Sequence, residues 1–351
     1  MVSFDGKSVG GDAPIFLMAD LGLTNGGNLS RSKALIDIAC DAGADAVKFQ
    51  MIGPDFLLGD RTVEYTYPIL SGELVTENMY SMFKGLEYSL DEWAEIKSYA
   101  EERGLTFICT AHFFEAVERL EKLGVLIHKI CTWSATHKRL VEAIGRTKKP
   151  LMLDTGVFDI RSFEQLVSWY RGAGGDQLLV LHDFHTNRQE EMNFKSIPFL
   201  KETYDFPVGY TPQGRDYDKD FMAVGLGADI LEKRLTIDRG IPNNGHIKAL
   251  NPAEFKDWVR RIRGLEVSLG QHGIFPTKQD ELDAQIYFKS LYAKETLPVG
   301  TILKDQHLCA KRPGTGLSAK YIDEIIGAVV VSEIAAGEMI ELSDLDVKIC
   351  F

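Results

Sequence analysis

The chain has 351 residues, 45% of them hydrophobic and 26% charged, with 39 Lys and Arg against 51 Asp and Glu for a formal net charge of −12. This composition excludes a disordered, collagen-like or disulfide-scaffold chain, and the acidic balance argues against a long basic stripe for nucleic acid. At roughly 150 residues per domain, the length predicts two domains or one large barrel with an appendage.

Short apolar runs recur along the chain, each followed by a stretch of helical period. The runs are 15–20 (IFLMAD), 44–50 (ADAVKFQ), 105–110 (LTFICT), 127–131 (IHKIC), 151–155 (LMLDT), 178–182 (LLVLH), 207–211 (PVGYT) and 229–234 (DILEKR). Amphipathic stretches at 30–42, 91–103, 115–123, 138–146, 161–171 and 218–226 lie between them. Eight strand-then-helix units predict an α/β fold, a (β/α)8 TIM barrel. A doubly wound open sheet is the second choice, since the first strand lacks the GxGxxG turn such a sheet often carries. The interval between Gln50 and Asp91 is too long for a simple connection and reads as an elaborated loop over the active face. After the helical stretch 252–269 the pattern breaks at GQHGIFPTKQDE, and short β-like runs and turns follow. The expected organisation is a barrel over residues 1–280 and a small β-rich domain over 286–351, with the boundary near 285.

Cys40, Cys109, Cys131, Cys309 and Cys350 show no CxxC or CxxxC spacing, which predicts reduced thiols and a cytoplasmic location. The N-terminus has no apolar segment of signal length, and no run approaches the ~20 residues of a spanning helix. Neither nucleic acid nor membrane is expected as a partner.

Active sites of such barrels lie at the C-terminal ends of the strands. Those ends carry Asp20, Lys48 with Gln50, Thr110, Lys129, Asp154 with Thr155, His182 with Asp183 and His185, Thr211 with Gln213, and Glu232 with Arg234. Period-two alternation in ADAVKFQ turns Lys48 and Gln50 away from Val47 and Phe49 and into the barrel. Lys48 there is either a structural ion pair with Asp20 or Glu232, or part of an anion site with Lys129 and Arg234. His182, Asp183 and His185 have a spacing that could ligate a metal, although no HExxH pattern supports them. His112 has the same weak status. No G-x-S-x-G elbow, P-loop or paired CxxC is present.

AGADAVKFQ, TFICTAHF, HKICT, PLMLDTG and ILEKRLTIDR, followed by KRPGTG with LSAKYIDEIIG, resemble the sialic acid synthase family over nearly the whole chain, including its spore-coat polysaccharide members. The last segment resembles the family's antifreeze-like (SAF) domain. The resemblance implies condensation of phosphoenolpyruvate with an N-acyl amino-sugar aldehyde to a 2-keto sugar acid, with release of phosphate. It implies that Lys48, Gln50, Thr110, Lys129, Thr132, Thr155 and His185 bind substrate, and that Asp20, Glu232 and Arg234 do chemistry. It also implies a domain-swapped homodimer in which Arg312 reaches the amino sugar bound by the partner.

Several family positions are altered. Asp20 stands for a glutamate, Asn25 for a histidine, Asp154 for a serine and Ser134 for a glutamate, while 185–189 (HTNRQ) replaces the Asn-x-YPTP stretch. The family's divalent metal (Mn or Mg) is held by two histidines, which here are Gln213 and Arg234. No metal or other cofactor is therefore expected, and Arg234 is read as taking the place of the cation. The competing readings are a catalytically inactive sugar-phosphate-binding homologue and a different barrel lyase or aldolase.

Overall fold

In the computed structural model, which describes residues 1–347 other than Phe184, His185, Asn187, Gln213 and His272, eight strands close a barrel. They are β1 (Phe16–Asp20), β2 (Ala46–Met51), β3 (Thr106–Ala111), β4 (His128–Ile130), β5 (Leu151–Asp154), β6 (Leu178–Asp183), β7 (Val208–Thr211) and β8 (Ile230–Arg234). Every neighbouring pair is parallel and the strands follow chain order around the ring, which excludes the open sheet. Each expected apolar run yields one strand, its ends shifted by no more than two residues.

Local signals set the helices. Leu29–Ala42 starts at Asn28, whose side chain accepts from the Arg31 amide, and buries Ser32, Leu35, Ile36 and Ala39. Leu90–Glu102 and Pro252–Leu269 open on reciprocal capping boxes, Ser89 with Glu92 and Asn251 with Glu254. Alternation along the strands separates two apolar layers. Leu17, Val47, Phe49, Phe107, Leu153 and Leu231 pack outward against the helices. Met18, Ala46, Ile108, Met152, Leu179 and Ile230 fill the barrel floor.

The floor is sealed by an N-terminal hairpin, Val2–Phe4 with Lys7–Val9, which the sequence reading missed. Its turn is an Asp-Gly pair with both φ positive, 54° at Asp5 and 67° at Gly6, the combination that favours a tight hairpin. Phe4 stacks edge-on against Phe16, 5.6 Å between ring centroids. The long interval after β2 contains a second hairpin, Glu64–Pro68 with Leu74–Asn78, and a short helix, Met79–Lys84. Asn244, in the loop after β8, donates to the Tyr65 hydroxyl. The insertion therefore lies at the end of the barrel where the strands finish.

The chain divides into two compact units, residues 1–270 and 271–351. The second holds two small antiparallel pairs, Ser290–Ala293 with Leu308–Lys311 and Val329–Val330 with Leu345–Asp346, around a core of Leu291, Leu297, Leu303, Ile325 and Ile340. Helix Lys278–Tyr287 groups with this unit: the Gly314 amide donates to Gln285 and Arg312 Nε to the Tyr287 carbonyl, both at 2.9 Å. The expected start near 285 falls inside that helix. Among the described residues no helix is long and apolar enough to cross a membrane.

Candidate active site

One layer above the apolar floor the inward positions turn charged. Lys48 on β2, 4% exposed, lies 2.7 Å from Asp20 Oδ1 on β1 and 2.9 Å from Glu232 Oε1 on β8. Lys129 on β4, 1% exposed, bonds the other oxygen of Glu232 and lies 3.0 Å from Asp154 Oδ1 on β5. Arg234 Nε stands 3.4 Å from Asp20 Oδ2, and the Gly22 amide donates to Asp20 Oδ1 at 2.9 Å. Six of the strand-end residues are thus joined in one network, buried except at Arg234. The ion-pair reading of Lys48 is correct in its contacts, with both proposed partners at once.

Burial works against the charge of Asp20, but Lys48 and Arg234 outweigh it and hold the carboxyl at about 2. Asp154 goes the other way. Burial dominates, Lys129 offsets it only in part, and the carboxyl is raised to about 7, with Glu232 and Asp183 pushing in the same direction. Both lysines are raised despite burial, because the carboxylates around them prevail. With Asp154 protonated the network sets three cations against two carboxylates, and with Asp154 ionised its formal charges balance.

Around the network sits a ring of weaker groups. Gln50 Oε1 is 3.1 Å from His112 Nε2, and His112 Nδ1 faces Cys131 Sγ at 3.5 Å and Ser134 Oγ at 3.4 Å. Burial, with Lys48 and Lys129 adding to it, lowers His112 to about 4, so its ring is neutral at pH 7. This four-residue contact was not foreseen, since no motif couples 112 to 131. Thr110 Oγ1 is buried without a hydrogen-bond partner. Thr132 Oγ1 lies 3.5 Å from the Asp154 carbonyl, and Thr155 Oγ1 lies 3.5 Å from His182 Nδ1. A cavity of about 390 Å³ opens here, lined by Thr155, Phe158, His182, Asp183, Asn193 and Phe199 among others. Arg312 belongs to the second unit, where its guanidinium also packs over the Tyr287 ring, 5.2 Å from the centroid. His185 and Gln213 lie outside the described residues.

The metal that the resemblance implies does not fit the groups present. The Asp20 and Glu232 oxygens are taken up by Lys48, Lys129 and Arg234. A fixed guanidinium at that rim repels a divalent ion. Among the described residues no group of three or more His, Cys, Asp or Glu could hold a metal, and the expected triad of His182, Asp183 and His185 falls partly outside them, at His185.

A closed parallel barrel with a sealed apolar floor and a charged layer at the C-terminal strand ends is the arrangement of a TIM-barrel enzyme. Comparison with known proteins narrows this. Residues 35–273 match the NeuB family and 288–346 the SAF domain. The N,N'-diacetyllegionaminic acid synthase of Legionella pneumophila is 28% identical over 337 residues, 94% of each chain. Human N-acetylneuraminate-9-phosphate synthase is 28% identical over 87% of this chain and 85% of its own. A crystal structure of the spore coat polysaccharide biosynthesis protein of Bacillus subtilis matches with a TM-score of 0.65 and 26% identity, covering 98% of both chains. The chain belongs to the NeuB family, a family of synthases, and carries a SAF domain after its barrel.

Proposed function

We propose that the protein is a sugar-acid synthase that joins phosphoenolpyruvate to an N-acyl amino-sugar aldehyde, in surface polysaccharide biosynthesis, without a metal. The observation that carries this reading is the buried network of Lys48, Lys129, Glu232, Asp20 and Arg234 at the mouth of a NeuB-family barrel. C3 of phosphoenolpyruvate bonds to the aldehyde carbon, and the aldehyde oxygen takes a proton. Water adds to C2 and inorganic phosphate leaves. Lys48 and Lys129 donate to the phosphoenolpyruvate anion, helped by Gln50, Thr132 and the unpartnered hydroxyl of Thr110. Arg234 donates to the carbonyl oxygen, replacing part of a Lewis acid's task. The cavity beside Thr155 offers room for the acceptor. Calorimetry tests the donor site: Lys48→Ala should weaken phosphoenolpyruvate binding about tenfold or more, the value of one charge-assisted hydrogen bond. Unchanged affinity in both Lys48→Ala and Lys129→Ala would overturn it.

The same site predicts a pH dependence. Asp154 holds its proton more tightly than an ordinary carboxyl, so its neutral form prevails below about 7. An incoming anion favours that neutral form, because it leaves the network one cation in excess. Affinity for phosphoenolpyruvate should therefore fall about tenfold per pH unit above 7, and Asp154→Asn should flatten the profile. Identical profiles in the two proteins would contradict this.

We also propose that the chain works as a domain-swapped homodimer in the cytoplasm, with Arg312 serving the partner's site. The free state of Cys40, Cys109, Cys131 and Cys309 supports a reducing compartment. Sedimentation should give a dimer at micromolar concentration, and truncation at residue 285 should abolish turnover. A monomer, or full activity after truncation, would count against it.

A further inference from the structure

At the mouth, β2, β3 and β4 bring three inward groups to one level, for Gln50 is in register with Thr110 and Thr110 with Lys129. Two of the three have hydrogen-bonding capacity to spare. Thr110 Oγ1 is buried without a partner, and among the described residues the Gln50 side chain bonds only through Oε1. The Gln50 amide nitrogen rests against the end of β1, where a Cβ on Gly22 would stand 2.5 Å from Nε2. An amide nitrogen and a hydroxyl thus lie unpartnered beside a buried ammonium, a row of donors that suits an anion.

The orientation of the Gln50 amide decides whether it joins that row. A flip would present the carbonyl oxygen instead, which repels an anion. His112, the residue after β3, sets the choice. Its Nε2 lies 3.1 Å from Gln50 Oε1, while Nδ1 faces two proton donors, the Ser134 hydroxyl at 3.4 Å and the Cys131 thiol at 3.5 Å. The hydroxyl also reaches the His112 carbonyl at 3.3 Å, and when it donates there the thiol still serves Nδ1. Burial pushes the thiol up and keeps it protonated, and burial with Lys48 and Lys129 keeps the ring neutral at pH 7. A neutral imidazole has one N–H to place. On Nε2 it donates to Gln50, and Nδ1 is left to accept. On Nδ1 it would set the lone pairs of Nε2 and Oε1 against each other unless the amide flipped.

We propose that His112 is a positioning residue: its Nε2–H holds Gln50 Oε1 and turns the amide nitrogen out as a donor to an anion bound beside Thr110 and Lys129. His112 itself touches no substrate and acts through Gln50. That the anion is phosphoenolpyruvate rests on the synthase reading; the hold of His112 on Gln50 does not.

The test is calorimetry with phosphoenolpyruvate and, separately, inorganic phosphate. Gln50→Ala should weaken binding about tenfold, the value of one charge-assisted hydrogen bond. His112→Leu and His112→Asn bring no donor to Gln50 and should weaken it about fivefold to tenfold. His112→Gln, whose amide nitrogen takes the place of Nε2, should restore affinity to within about twofold. In the Gln50→Ala background His112→Leu should cost nothing further. A loss that persists in that background, or that His112→Gln does not restore, would overturn the proposal. So would nitrogen NMR of the histidine-labelled chain that places the His112 proton on Nδ1. Unchanged phosphoenolpyruvate affinity in His112→Leu, with a loss in Lys48→Ala, would overturn it and leave the donor site standing. The full pattern with inorganic phosphate, in a chain that does not bind phosphoenolpyruvate, would uphold His112 and remove the synthase reading. A chain that binds neither probe would overturn both.

Discussion

Replacing Lys129 by methionine should destabilise the protein by about 3–5 kcal/mol at pH 8, the range for removing one partner of a buried charge pair. The ammonium is 1% exposed and ion-paired with both Glu232 and Asp154, so its loss leaves Asp154 without its nearest cation and facing Glu232, which keeps only Lys48. Asp154, already raised to about 7, is raised further once Lys129 is gone, so its native form holds a proton more tightly than the unfolded chain, and the penalty grows as pH rises above the ordinary carboxylate range and shrinks as pH falls. Urea melts at pH 5 and pH 8 should show the difference, and Asp154→Leu added to Lys129→Met should recover part of the loss. A loss below about 1 kcal/mol, or one equal at both pH values, would show that the network is not coupled as its geometry implies. Turnover should vanish in Lys129→Met under either pH condition.

Arg234→Ala should lower turnover on the order of 10²–10³-fold, the range for removing one preorganised donor at a developing negative charge. Asp20 would lose its second cation, but Lys48 and the Gly22 amide remain on Oδ1, so the fold should survive. Chelator should leave the wild-type rate unchanged. A stoichiometric divalent metal by elemental analysis, or activity abolished by chelator and restored by manganese, would refute the metal-free assignment.

The barrel was legible because β-period alternation and strand-helix order are local signals. The inward direction of Lys48 follows from ADAVKFQ alone, and that of Arg234 from DILEKR. Partners were only partly legible. Lys48 was expected to meet Asp20 or Glu232 and meets both, because β8, β1 and β2 are neighbours only once the barrel closes. The bond from Lys129 to Glu232 crosses that closed ring between opposite strands. Helix Ser196–Tyr204 is absent from the expected amphipathic stretches; its Pro198 sits in the first turn, where proline is tolerated. The Asp5-Gly6 hairpin was overlooked although its turn pair is a strong short-range signal.

Release of inorganic phosphate from phosphoenolpyruvate, measured with chelator present across a panel of N-acyl amino-sugar aldehydes with and without a phosphate, tests the synthase assignment most directly. The account predicts release that requires an aldehyde, yields a 2-keto sugar acid in equal amount and disappears in Lys129→Met. Silence across the panel in a protein that still binds phosphoenolpyruvate or a sugar phosphate would contradict it and make the chain a binding homologue.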